Sequence, residues 1–181
     1  MAETYPIVSL VAGLLLAAPA GLNPYLPLLM VAAMARFSSF YRPAPATGFL
    51  GETWFLVLAG LLFLINTLLD KSFVPGDSLS VPPAQRTRRL WVGAFHDLGQ
   101  MLLGPAAGAL LAGATSRFFP SSWLLVAPML GALVAALVYT GKRTLRHRLA
   151  GRWGPFTNML LSVFEDMAVV FTCLAGLLLL R

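Results

Sequence analysis

The sequence predicts an all-α polytopic membrane protein of about five transmembrane helices, forming a single membrane domain over residues 1–181. Three observations predict it: a composition too apolar for a soluble domain, apolar runs alternating with basic loops, and a proline-rich break inside the first run. Hydrophobic residues make up 58% of the chain and charged residues 11%, against about 25% charged in an ordinary soluble domain. A chain this short cannot cover a compact fold with so little polar surface, so it needs a bilayer. The single cysteine, Cys173, excludes a disulfide framework. The formal charge of +6 sits mostly between apolar runs, which suits anionic lipid headgroups and not nucleic acid. No dinucleotide, phosphate-loop or zinc spacing occurs, so no cofactor is expected and no metal is assigned. The N-terminus has no positive n-region, so the first apolar run is expected to stay in the mature chain.

A crossing helix needs about 20 apolar residues to span roughly 30 Å of hydrocarbon. Clear spans fall near 53–69, 91–114, 123–140 and 156–180, the last being the final helix. The first apolar region, 7–35, is too long for one upright helix and is broken by Pro19-Ala20-Gly21-Leu22-Asn23-Pro24. Asn23 can cap the segment after it, with Pro24 in the first turn, where its missing N–H costs nothing. The region is then a kinked helix, a discontinuous crossing around a site, two separate spans, or a re-entrant hairpin.

The segments 71–90 and 141–154 are expected to be cytoplasmic loops, since they hold nine of the 13 Lys and Arg residues. With five crossings this puts the N-terminus inside and the C-terminus outside a bacterial inner membrane. A hairpin at 7–35 would reverse only the N-terminus. Within the second basic segment, Lys142, Arg143, Arg146 and Arg148 are candidates for lipid-headgroup contact on a surface helical extension.

The chain also echoes itself. Asn23-Pro24 through Arg36-Phe37 overlays Gly104-Pro105 through Arg117-Phe118, and Trp54 then meets Trp123. The repeat units would be 20–70 and 101–140, with equivalent helix breaks at Pro24 and Pro105. Paired interruptions point to a transporter's binding site. Gly104, Gly108 and Ala112 form a small-residue stripe, serving either packing within the chain or a homo-oligomer interface.

Polar groups inside apolar spans are the functional candidates. Glu165 and Asp166 fall near the middle of the final span, and Asn158, Ser162 and Asp166 share a stripe at i, i+4 spacing. Adjacent buried carboxylates repel and require pairing, water or protons. Asn66 and Asp70 share a face of the second span; His96 and Gln100 share one on the third, with Asp97 beside His96. A half-helix starting at Pro24 would aim its positive end at an acid or an anionic headgroup.

The runs Ala20-Gly21-Leu22-Asn23-Pro24-Tyr25-Leu26-Pro27, Leu69-Asp70-Lys71 with Gly76-Asp77-Ser78, His96 before Gly104-Pro105-Ala106-Ala107-Gly108-Ala109, and Asn158 through Asp166 resemble a family of small bacterial membrane proteins known as domain of unknown function 4126. The resemblance implies a membrane protein and carries no reaction or substrate. Family members often carry Arg-Ala where this chain has Asn23-Pro24, so a functional arginine at that place is absent here. The leading expectation is a small transporter or permease for an ion, a proton-coupled solute or a lipid, with membrane lipids around it. An intramembrane lipid-modifying enzyme and a structural or assembly protein are the alternatives. No catalytic residue is assigned.

Overall fold

A computed structural model describes the backbone of residues 4–72, 83–116 and 124–181, and the side chains of 6–68, 98–116, 124–146, 148 and 160–181. Among the described residues the fold is an all-α bundle of α1 (Thr4–Ala17), α2 (Tyr25–Phe37), α3 (Thr53–Ser72), α4 (Pro83–Ala114) and α5 (Val126–Leu179). The range 117–123 of the second expected repeat unit, and 73–82 of the first expected loop, lie outside the described residues.

α5 is helical throughout, yet it cannot be straight. Positions 146 and 165 would stand roughly 28 Å apart on a straight helix, whereas the Arg146 guanidinium touches the Glu165 carboxylate at 2.6 and 3.0 Å. The chain therefore reverses between them, and α5 is two antiparallel arms. The segment 141–154, expected to be a loop, is helical in its backbone.

The first apolar region breaks where the prolines stand. Pro19 cannot donate to the preceding turn, so α1 ends at Ala17 and a 3-10 turn, Ala18–Gly21, follows. The N–H groups of Leu22 and Asn23 both bond to the Pro19 carbonyl at 3.0 Å, closing the turn. The Asn23 Oδ1 then accepts from the N–H groups of Tyr25 and Leu26 at 3.2 and 3.4 Å, capping α2. Such a cap contributes about 1 kcal/mol.

The two halves run in opposite directions. A Cβ on Gly13 of α1 would collide with the Thr115 side chain, and one on Gly176 would lie 3.1 Å from the Ala12 carbonyl. After α2, the Ala44 N–H bonds to the Ala114 carbonyl at 2.9 Å. The second half of α1 near Gly13, the segment after α2, the C-terminal end of α4 and the end of α5 thus share one level of the bundle, here called the Thr115 end, and α1 enters from that side. The turn at Asn23 points to the opposite, Lys142 end. Of the alternatives for 7–35, the structure has the hairpin arrangement: α1 and α2 run in opposite directions, and the turn between them faces the Lys142 end. The two helices are short, each spanning roughly 20 Å.

Pro105 does not break its helix. It lies inside α4, so the two sequence copies share no common interruption. Gly104 explains the tight fit there, since a Cβ on it would sit 3.3 Å from the Ala20 carbonyl of the hairpin. Farther along, a Cβ on Gly108 would lie 2.5 Å from the Gly131 carbonyl and 2.6 Å from the Ala135 Cβ. The small-residue stripe therefore packs within the chain, on the hairpin at Gly104 and on α5 at Gly108 and Ala112.

Among the described residues, large apolar side chains face outward while several polar ones lie within. Leu137 is 63% exposed and Phe164 66%, while Lys142 is 8% exposed and Asn66 3%. This inverts the pattern of a soluble helix. Leu160–Leu179 is long and apolar enough to cross a bilayer alone, and the Pro45–Gly51 turn joins 53–68 at 65° as a bent pair. Inversion and apolar helix together support membrane association.

The connection between α2 and α3 carries one unpaired group. Tyr41 is 3% exposed, and among the described residues its hydroxyl is a buried side-chain oxygen without a hydrogen-bond partner. Burial pushes its phenol well above the ordinary value, because the phenolate would be stripped of water.

Candidate functional site

The hairpin tip, α3, α4 and both arms of α5 each contribute to one charged network. Lys142 is central. Its side chain is 5% exposed and lies 3.2 Å from Glu165 Oε2. The same ammonium donates to the Gln100 Oε1 at 3.4 Å and to the Leu22 carbonyl at the tip. An ammonium carries three protons, so each has an acceptor from a different element. Gln100 passes the chain on, its Nε2 donating to the Asn66 Oδ1 at 3.3 Å.

Arg146, one turn after Lys142, grips Glu165 with two atoms: Nε to Oε1 at 3.0 Å and Nη2 to Oε2 at 2.6 Å. Paired N–H groups on paired oxygens are the strongest arrangement open to a carboxylate. Glu165 is 16% exposed and Arg146 27%, so the pair is sheltered but reachable. Asp166 accepts at 3.2 Å from the Nδ2 of Asn23. Asn23 therefore uses both ends of its amide, one to cap α2 and one to bind an acid from α5.

The hairpin tip meets the need this creates. Irregular backbone inside an apolar bundle must be satisfied by protein or by a polar cavity. Lys142 takes the Leu22 carbonyl, and the Asn23 oxygen takes the first N–H groups of α2. The start of α2, expected from sequence to meet an acid or an anionic headgroup, is capped by the Asn23 oxygen, and the amide N–H of the same Asn23 donates to Asp166.

Of the candidates named from sequence, the structure brings Asn23, Asn66, Gln100, Glu165 and Asp166 together. Ser162 is half-buried, one turn before Asp166, and joins none of these bonds. Asp70, His96, Asp97 and Asn158 lie outside the residues whose side chains are described. Lys142 and Arg146 are corrected: expected at lipid headgroups, they turn inward to the acids, whereas Arg143 and Arg148 are exposed. The missed signal was the i, i+4 spacing of Lys142 and Arg146, which sets both on one helix face. What hid it was the reversal of α5, which makes residues 19 positions apart neighbours. Among the described residues no group of three or more His, Cys, Asp or Glu could hold a metal ion.

These features define a membrane-associated helical bundle with a buried ionic network at the tip of an interrupted hairpin. The family described as Domain of unknown function (DUF4126) matches residues 10–79 and 87–179, and the chain belongs to it. No curated protein matches the chain, and no solved structure does.

Proposed function

We propose that the protein is a multi-pass membrane transporter whose charge-sensitive centre is the Lys142–Glu165–Arg146 network with Asn23–Asp166. In this reading α3, α4 and the two arms of α5 cross the bilayer, and the α1–α2 hairpin enters from the Thr115 end without crossing. The basic segments make the Lys142 end cytoplasmic, so both chain termini lie outside. Gln100 stands 14 residues before the end of α4, and Glu165 14 before the end of α5. Both are thus roughly 20 Å below the Thr115 end, in the cytoplasmic half of a core of roughly 30 Å.

One observation carries the reading: a lysine with 5% side-chain exposure joins the tip of a broken helix to an acid. Ionisable groups at such depth are costly and mark substrate or ion pathways, and interrupted helices place polar backbone where solutes bind. The test is flux in vesicles containing the purified chain under an imposed pH gradient. Glu165→Gln with Asp166→Asn is expected to lower proton-coupled flux at least ~10-fold while the protein stays folded, in line with a charged group essential to the path. Unchanged flux in a folded double variant overturns the proposal.

A further inference from the structure

We infer that residues 36–54, from the end of α2 to the start of α3, form an interfacial ledge for anionic phospholipid. Arg36 and Arg42 bind headgroup phosphates of the leaflet at the Thr115 end, and Phe37, Phe40 and Trp54 enter the acyl boundary beneath them. The inference needs the bundle in a bilayer but not transport, so it goes beyond the proposed function.

The cations at this end are unpaired. Nine of the 13 Lys and Arg residues lie in 71–90 and 141–154, and the other four are Arg36, Arg42, Arg117 and Arg181. Arg117 lies outside the described residues; the remaining three are exposed. Among the described residues neither Arg36 nor Arg42 is in an ion pair. Arg36 stands in the last turn of α2, where the helix dipole favours a cation. The dipole does not account for Arg42, which lies beyond the helix. An exposed acid, Glu52, lies on the same segment and opposes the two arginines.

The backbone sets the depth. A Cβ on Gly51 would lie 3.6 Å from the Ala35 Cβ, so Arg36 and Phe37 stand level with the start of α3. The Ala44 bond to the Ala114 carbonyl holds the middle of the segment at the end of α4. The Pro45–Gly51 turn leaves α3 at 65°; with α3 along the membrane normal, it runs nearer the plane of the bilayer than across it. Tyr41 is buried and pins the chain to the bundle, while Phe40 and Arg42 on either side of it are exposed.

The rings are held in place. Phe37 is 78% exposed and Trp54 58%, yet Phe49 stacks on Trp54 at 6.3 Å and Phe55 meets it edge to face at 5.7 Å. Arginines beside exposed tryptophan and phenylalanine suit a segment lying in the headgroup layer, cations on phosphate and rings at the acyl boundary. Lipid is the partner the surroundings favour. Below Trp54 the exposed face continues through Val57, Leu58 and Leu61 of α3, so phosphates reach the arginines where hydrocarbon meets that face.

The full chain with Trp91→Phe, Trp123→Phe and Trp153→Phe keeps Trp54 as its fluorophore and tests the inference in phosphatidylcholine vesicles. Bromine on a lipid quenches a neighbouring tryptophan, so brominated phosphatidylglycerol and brominated phosphatidylcholine are compared as minor components. Phosphatidylglycerol is expected to be preferred beside Trp54. Arg36→Gln with Arg42→Gln is expected to lower that preference at least ~5-fold, the effect of about one arginine at an anionic surface. High salt should shrink it as well, and Glu52→Gln should raise it. Bromine near the headgroup end of the acyl chain is expected to quench more than bromine near its methyl end. A second measurement keeps all four tryptophans: phosphatidylglycerol added to the chain in neutral detergent should raise its melting temperature more than phosphatidylcholine does, and the double arginine variant should lose that advantage. Equal quenching by the two lipids, or a preference or melting advantage that survives loss of both arginines, overturns the ledge and leaves the transporter reading standing. Quenching strongest from the methyl end overturns it too. Trp54 quenched by neither lipid overturns the ledge together with the membrane placement that the transporter reading requires.

Discussion

Two prolines at matching places in the sequence echo behave in opposite ways. At Asn23-Pro24 the chain turns back on itself; at Gly104-Pro105 the helix runs on through α4. Both lack a backbone N–H, and both disfavour helix in the preceding turn, so proline chemistry does not distinguish them. The neighbours do. Pro24 is preceded by Asn23, which caps the helix that follows, and Pro19 has already ended α1. The freed carbonyl at that turn receives Lys142. At Pro105 there is no capping residue, and the glycine before it packs flat against Ala20. A single missing bond, to the Met101 carbonyl, is tolerated within an otherwise regular helix. A proline permits a break; partners for the released backbone groups decide whether one forms.

Removing those partners should dismantle the contrast. The largest effect is expected from Lys142→Met, which leaves the Leu22 carbonyl without its ammonium and Glu165 with one cation. Breaking a buried pair from one side costs about 3–5 kcal/mol, to be read as loss of stability of the detergent-solubilised protein in denaturant. A loss below ~1 kcal/mol would show that the turn stands without its lysine. Next is Asn23→Ala, which removes the α2 cap and the Asp166 bond together. It should cost about 1–2 kcal/mol, with faster hydrogen exchange at Tyr25 and Leu26 and little change in α4. Equal exchange in both variants and the parent would place the cap elsewhere. The smallest effect is expected from Pro105→Ala, which restores a donor to Met101 and should raise stability by about 1 kcal/mol, the net worth of one hydrogen bond. A clear loss instead would mean that the proline shapes α4 for its contact with the hairpin, and that the two sites are more alike than their backbones suggest.

The same contrast shows how far the sequence could be read. The break in 7–35 was legible, and so was its cap, because both depend on residues within a few positions of one another. That Glu165 and Asp166 would need shelter was legible from charge in an apolar run. Their partners were not. Lys142 and Arg146 look like surface anchors in a basic segment, and become the acids' counter-ions only because α5 doubles back. The small-residue stripe on α4 showed that something packs closely there, without showing that it is Gly131 of the same chain.

Local chemistry, then, was decided by the amino-acid order: helices, the turn at Asn23, the apolar face and the family all follow from composition and near-neighbour spacing. Direction was decided in three dimensions. Whether the first helix crosses or returns depends on contacts between Gly13 and Thr115, Gly176 and Ala12, and Ala44 and Ala114, each joining residues far apart in the chain. Whether a buried charge is isolated or neutralised depends likewise on which helices touch. Spacing along a chain constrains what a helix can present, but Coulombic pairing acts through space, over a few ångströms that only the packed bundle supplies.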